Sequence, residues 1–128
     1  MLKFLDIFFI VFHTGFTLFN LFGWIWKKTR KIHLVTIGLT VLSWFVLGIW
    51  YGWGYCICTD WHWQVRAAMG EPIQFNSYIQ FLVSELTGIV PDKNLTDTVT
   101  LIVFITCIAL AVFVNIKPMF KPKLPPRR

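Results

Sequence analysis

Four polar side chains, Asp6, His13, Thr17 and Asn20, recur within a largely apolar first stretch at spacings of seven, four and three residues. At about 100° of helix per residue these spacings keep all four within about 60° of one another, as a polar ridge on one face. A neutral imidazole such as His13 can donate one hydrogen bond and accept another. Such a ridge could relay protons, hold a metal or haem, or pin one helix to its neighbour. A second cluster, Cys56-Ile57-Cys58-Thr59-Asp60-Trp61-His62-Trp63, with Arg66 one turn further on, gathers thiols, a carboxylate, an imidazole and a guanidinium. The two thiols are separated by one residue, a spacing that strains a disulfide, which argues against thiol exchange. Cys56, Cys58 and His62 offer three metal ligands without a clear fourth, so no metal site is assigned. No acid, base and nucleophile set is complete. No catalytic residue and no cofactor are therefore assigned, and whether the chain is an enzyme stays open.

Three long apolar runs must position these groups: Phe4 to Trp26, Leu34 to Tyr55 and roughly Val99 to Ile116. Each is long enough as a helix to cross a hydrocarbon core of about 30 Å. Nine of the twelve Lys and Arg residues fall in Lys27–Lys31 and Lys117–Arg128, away from all six carboxylates. Short cation-rich loops stay in the cytoplasm, so this asymmetry predicts an N-terminus and a 56–98 segment outside, and a C-terminus inside. The first run is too long for a cleaved signal, lacks a small-residue cleavage site and carries its charge mainly after the apolar stretch. The formal charge of +6 serves membrane orientation and anionic headgroups rather than nucleic acid.

The segment between the second and third runs predicts two short helices. Thr59 or Asp60 can cap one over Trp61–Met69, ended by Gly70 and Glu71-Pro72. A second runs from Asn76 to Thr87, closed by Gly88, with Phe75, Tyr78, Ile79, Leu82 and Leu86 on one face. Neither spans; the second is interfacial or re-entrant, and the segment forms a lid over the outer ends of the three spans. In the second span Gly38, Gly48 and Gly52 allow close backbone approach. The expected architecture is an all-α membrane protein of three transmembrane helices with an extracytoplasmic helical lid. Residues 1–116 form the membrane domain, including the 57–96 outer segment, and 117–128 form a basic, Pro-rich cytoplasmic tail.

Cys56, Thr59 and His13, with the Asp60-Trp61-His62-Trp63 run, the basic turn and Arg66, give a pattern that resembles the bacterial small membrane family called domain of unknown function 2784. The likeness covers about Asp6 to Ile116. That family's second span ends in Cys-Pro-Leu-Thr, from which Ile57 and Cys58 depart. The resemblance implies that Cys58 stands outside any shared site. It also implies that His62, where many relatives carry Glu, is a helix-start residue. It implies a multi-pass protein of the bacterial inner membrane, and no activity.

The expected function is that of a non-catalytic accessory or assembly subunit. It would dock to a membrane-protein partner or a second copy through the polar ridge and the glycine faces. The alternative is a redox or cofactor protein in which His13, with Cys56 or Asp6, holds haem, metal or quinone.

Overall fold

In the computed structural model, which describes residues 1–71, 74–75 and 77–121, the chain is helical throughout and contains three helices long and apolar enough to cross a membrane. Helix α1 is Leu2–Phe22, α2 is Arg30–Tyr51, and α5 is Lys93–Ile116, followed by a 3₁₀ turn over Lys117–Phe120. Two short helices, α3 (Ile57–Ala68) and α4 (Tyr78–Thr87), lie between α2 and α5. Few residues of each long helix are buried within the fold, as suits helices whose outer faces meet lipid.

The long helices begin and end where local chemistry dictates. The Asp92 carboxylate caps α5 by accepting from the Leu95 N–H at 2.9 Å; this satisfies one of the free donors of the first turn. The α1–α2 turn is tied by side chains: Thr29 Oγ1 donates to the Gly23 carbonyl at 2.7 Å and Arg30 Nε to the Trp24 carbonyl at 3.0 Å. His33 is fully buried beside this turn and bonds through Nε2 to the Asn20 carbonyl at 2.8 Å.

Helices α2 and α5 share the main apolar core, in which Ile37, Phe104, Cys107 and Ala111 are buried with Trp44 and Phe45 packed against them. Ala111 and Cys107 are small, and that lets the two backbones come close, the usual means of helix association where lipid offers no hydrophobic drive. Within α2 the turn Leu42–Leu47 widens to π-helical geometry. The reason lies in the following loop: Gly54 N–H donates to the Trp44 carbonyl at 3.3 Å and Ser43 Oγ to the Tyr55 carbonyl at 2.9 Å. Gly52, at φ 103°, and Gly54, at φ 82°, permit this reversal, because an L side chain rarely adopts such angles.

The caps of the short helices differ in part from expectation. Helix α3 starts at Ile57, with Cys56 as the extended N-cap residue, so Thr59 and Asp60 lie in its first turn and not at its cap. Asp60 is still well placed there, because the helix dipole favours a negative charge. Helix α4 is capped by Ser77, whose side chain accepts from Gln80, and closed by Gly88 at φ 72°. Asn76, the expected first residue of this helix, Pro72 in the expected stop, and the tail beyond 121 lie outside the described residues.

Candidate functional site

The strongest polar constellation forms where α3 and α4 meet α1. Asp6, Phe9 and His13 lie three, four and seven residues apart and so share one face of α1. Facing them, His62 and Arg66 are one turn apart on α3. The Asp6 carboxylate oxygen Oδ1 accepts from His62 Nε2 at 2.7 Å and from Arg66 Nη1 at 3.1 Å. From the first turn of α4, the Tyr78 hydroxyl lies 2.8 Å from His62 Nδ1 and 3.4 Å from the Phe9 carbonyl oxygen. The result is a continuous chain from guanidinium through carboxylate and imidazole to phenol.

Aromatic rings enclose this chain. The His62 ring stacks with Phe9 at 5.5 Å between centroids and meets the edge of Phe81 at 5.6 Å. The Tyr78 ring stacks on His13 at 3.9 Å. The Arg66 guanidinium lies 4.9 Å over the Phe81 ring, and Glu71 is 3.9 Å from its other nitrogen. His62 has no exposed surface, and Asp6 and Arg66 retain 15% each.

Burial lowers the basicity of His62 below the ordinary imidazole range, although the hydrogen bond and charge of Asp6 act to raise it. The imidazole is therefore neutral at pH 7. Nε2–H then donates to Asp6, and Nδ1 accepts from the Tyr78 hydroxyl. Burial also pushes the Tyr78 phenol above its usual range, so it remains a donor. The chain can hold and redirect a proton. Both His62 nitrogens are engaged, and a metal could bind there only by breaking one of the two bonds.

The residues singled out from the sequence have separate settings. Asp6 and His13 belong to this cluster. Thr17 is half-buried, and Asn20 Nδ2 donates to Thr40 Oγ1 at 3.2 Å, joining α1 to α2. The expectation of His62 as a helix-start residue is corrected: it lies in the second turn of α3, turned inward to Asp6, because the helix begins at Ile57. Trp61 is exposed, and Trp63 packs against Tyr78 and Phe81.

Cys56 and Cys58 are free thiols. Cys56 is shifted down to about 6, first by a hydrogen bond from the Cys58 thiol and then by the N–H and hydroxyl of Thr59, which together outweigh burial. Cys58, which supplies that proton, is shifted up. Among the described residues no group of three His, Cys, Asp or Glu side chains is placed to hold a metal ion. Gly38 has open space where a Cβ would stand, whereas a Cβ on Gly48 would meet the returning loop, 3.4 Å from the Trp53 Cα. Gly52 serves the turn rather than a helix contact.

A family model described as Protein of Unknown function (DUF2784) matches residues 3–116. The chain belongs to the DUF2784 family. No curated protein and no solved structure matches it. In this DUF2784 protein the match takes in all three long helices, the Asp6–His62–Tyr78 chain and the two thiols.

Two members of the site were not singled out for chemistry from the sequence: the Tyr78 hydroxyl, read only as part of an apolar face, and Arg66 as the partner of Asp6. A signal for the second was present. Asp6 stands within an apolar run and needs a compensating cation, and the 56–98 segment carries only Arg66 and Lys93.

Proposed function

We propose that this DUF2784 protein is a non-catalytic accessory or assembly subunit of a membrane complex. We place it in the bacterial inner membrane with its N-terminus outside and its C-terminus in the cytoplasm. One observation carries the functional reading: the polar side chains gathered where α3 and α4 meet α1 are spent on one another. Asp6, His62, Arg66 and Tyr78 close into a chain around an imidazole with no exposed surface, which fastens α3 and α4 to α1. A substrate has no free group to meet there.

Outward faces then remain to do the work. On α1 the exposed residues Phe4, Phe8, Val11, Gly15, Leu18 and Phe22 recur at alternating steps of four and three. That is the spacing at which a second helix packs along a seam. Gly15, at mid-seam, and Gly38 on α2 each leave open space for an approaching backbone. The polar ridge supports docking indirectly, by holding these faces rigid, since Asp6, His13 and Asn20 are engaged within the fold.

The test is co-purification of the tagged protein from native membranes, with mass spectrometry of what accompanies it. Gly15→Leu and Gly38→Leu fill open space and favour helix, so the fold persists while the partner is lost. Retention of the same partner by both variants would refute docking through these faces. A stoichiometric chromophore or metal in the purified protein would instead favour the cofactor alternative. A reporter fused after Arg128 should be cytoplasmic; a periplasmic signal would reverse the orientation.

A further inference from the structure

The face of α3 next to the His62–Arg66 face borders a different feature. The loop that folds back onto the π-helical turn and the first two turns of α3 border an open pocket of about 300 Å³. That is at the lower end of the range of small-molecule sites, about 300–1,000 Å³. Five aromatic residues wall it, namely Tyr51, Trp53, Tyr55, Trp63 and Phe75, and Asp60 is the carboxylate among them.

The charge on Asp60 is held but not neutralised. Its Oδ2 accepts from the Tyr55 hydroxyl at 3.2 Å and from Gln64 Nε2 at 3.1 Å, both neutral donors. Among the described residues no Lys, Arg or His nitrogen lies within ion-pair distance of it, in contrast to Asp6 and Asp97. Cys56, whose thiol is another group able to carry negative charge, is also among the lining residues. A carboxylate and the electron-rich faces of aromatic rings attract a bulky, weakly hydrated cation and repel an anion. A metal ion would find too few ligands here.

We propose that this pocket binds an organic ammonium group, carried either by a zwitterionic lipid headgroup or by a soluble compound. The inference is independent of the accessory reading, because the pocket and the α1 seam share no residue. Trp63 forms a wall common to the pocket and to the aromatic shell of His62, so occupancy bears on the side chains that hold α3 in place.

The test uses the full chain in phosphatidylglycerol nanodiscs and saturation-transfer NMR with choline as probe. Its neutral isostere, 3,3-dimethyl-1-butanol, is the control. Choline should receive saturation from the aromatic protons, and the isostere should not. Asp60→Asn, which keeps the acceptor for Tyr55, should weaken choline binding by about tenfold. Trp53→Ala, at a largely exposed position, should weaken it by about two- to fivefold. Equal transfer to the isostere, or choline binding unchanged by both substitutions, would overturn the proposal and leave the rings as headgroup anchors only. Phosphatidylcholine bearing deuterated methyl groups tells the two sources apart. Displacement of choline would assign the site to a lipid headgroup, and undiminished choline binding would assign it to a soluble ammonium compound.

Discussion

Tyr78→Phe removes one oxygen atom and leaves the ring that stacks on His13 at 3.9 Å and packs against Phe81 at 5.4 Å. What it takes away is the donor to His62 Nδ1, 2.8 Å distant. Water cannot replace that donor, because the His62 side chain has no exposed surface. The cost is then the desolvation of a buried acceptor left without a partner, about 1–3 kcal/mol. At about 1.4 kcal/mol per factor of ten, this corresponds to a rise of about 5- to 140-fold in the population of locally opened states.

Hydrogen exchange followed by mass spectrometry, on protein in nanodiscs, reads that rise directly. Amides of α3 and α4 should exchange faster by this factor, whereas those of the α2–α5 core around Ala111 should be unchanged, since they form a separate packed cluster. A double variant, His62→Phe with Tyr78→Phe, should cost less than the sum of the two single changes, because neither partner of the 2.8 Å contact is then stranded. Unchanged exchange in α3 and α4, or a uniform rise over the whole chain, would refute the claim that this hydrogen bond holds the short helices to α1.

Acidification should loosen the same contact. His62 is less basic in the folded state than in the open one, so the open state binds the proton more readily. The stabilisation is complete above the ordinary imidazole value near 6.5 and is lost as pH falls below it. Exchange in α3 and α4 measured from pH 7.5 to 5, corrected for intrinsic rates, should rise toward acid, and His62→Phe should flatten the response. Gly23→Ala should destabilise the α1–α2 turn by about 1–3 kcal/mol, because its Cβ would stand 2.7 Å from the Phe19 carbonyl and 2.9 Å from the His33 ring; thermal unfolding in detergent checks this. Alkylation of Cys56 by maleimide should show a midpoint near pH 6, well below that of an ordinary thiol, and Cys58→Ala, which removes the thiol donor that lowers it most, should raise the midpoint.

The spans were legible because the bilayer imposes the pattern: about twenty apolar residues per helix mark each crossing whatever its neighbours are. Helix ends were legible where the signal is local, as at Gly88, where the left-handed conformation closes α4. The start of α3 was not. Thr59 and Asp60 are good caps by type, yet the chain enters from a loop bonded back to Trp44 and Ser43, and this entry sets the first helical residue at Ile57. The π-helical turn was hidden for the same reason, since its hydrogen-bond shift depends on that loop returning.

The candidate site was half legible. The spacing of Asp6 and His13 showed a polar face, but no periodicity pairs Asp6 with His62, 56 residues later. The resemblance to relatives with Glu at position 62 pointed toward capping, and the actual partner lies on another helix. The Tyr78 hydroxyl was masked by its ring, which fits the apolar face of α4 as well as a phenylalanine would.

The short α3 helix thus divides a single motif between two tasks. His62 and Arg66, four residues apart, turn to α1 and answer the charge of Asp6. Asp60, with Cys56 one turn before it, faces the aromatic pocket and keeps its own charge without an ion-pair partner among the described residues. Trp63 is the side chain between these two faces. A force that tilts this indole alters both the packing around a neutral buried imidazole and the wall of the pocket. Replacing Trp63 with Leu should therefore disturb both, whereas Asp60→Asn and Tyr78→Phe should each disturb one.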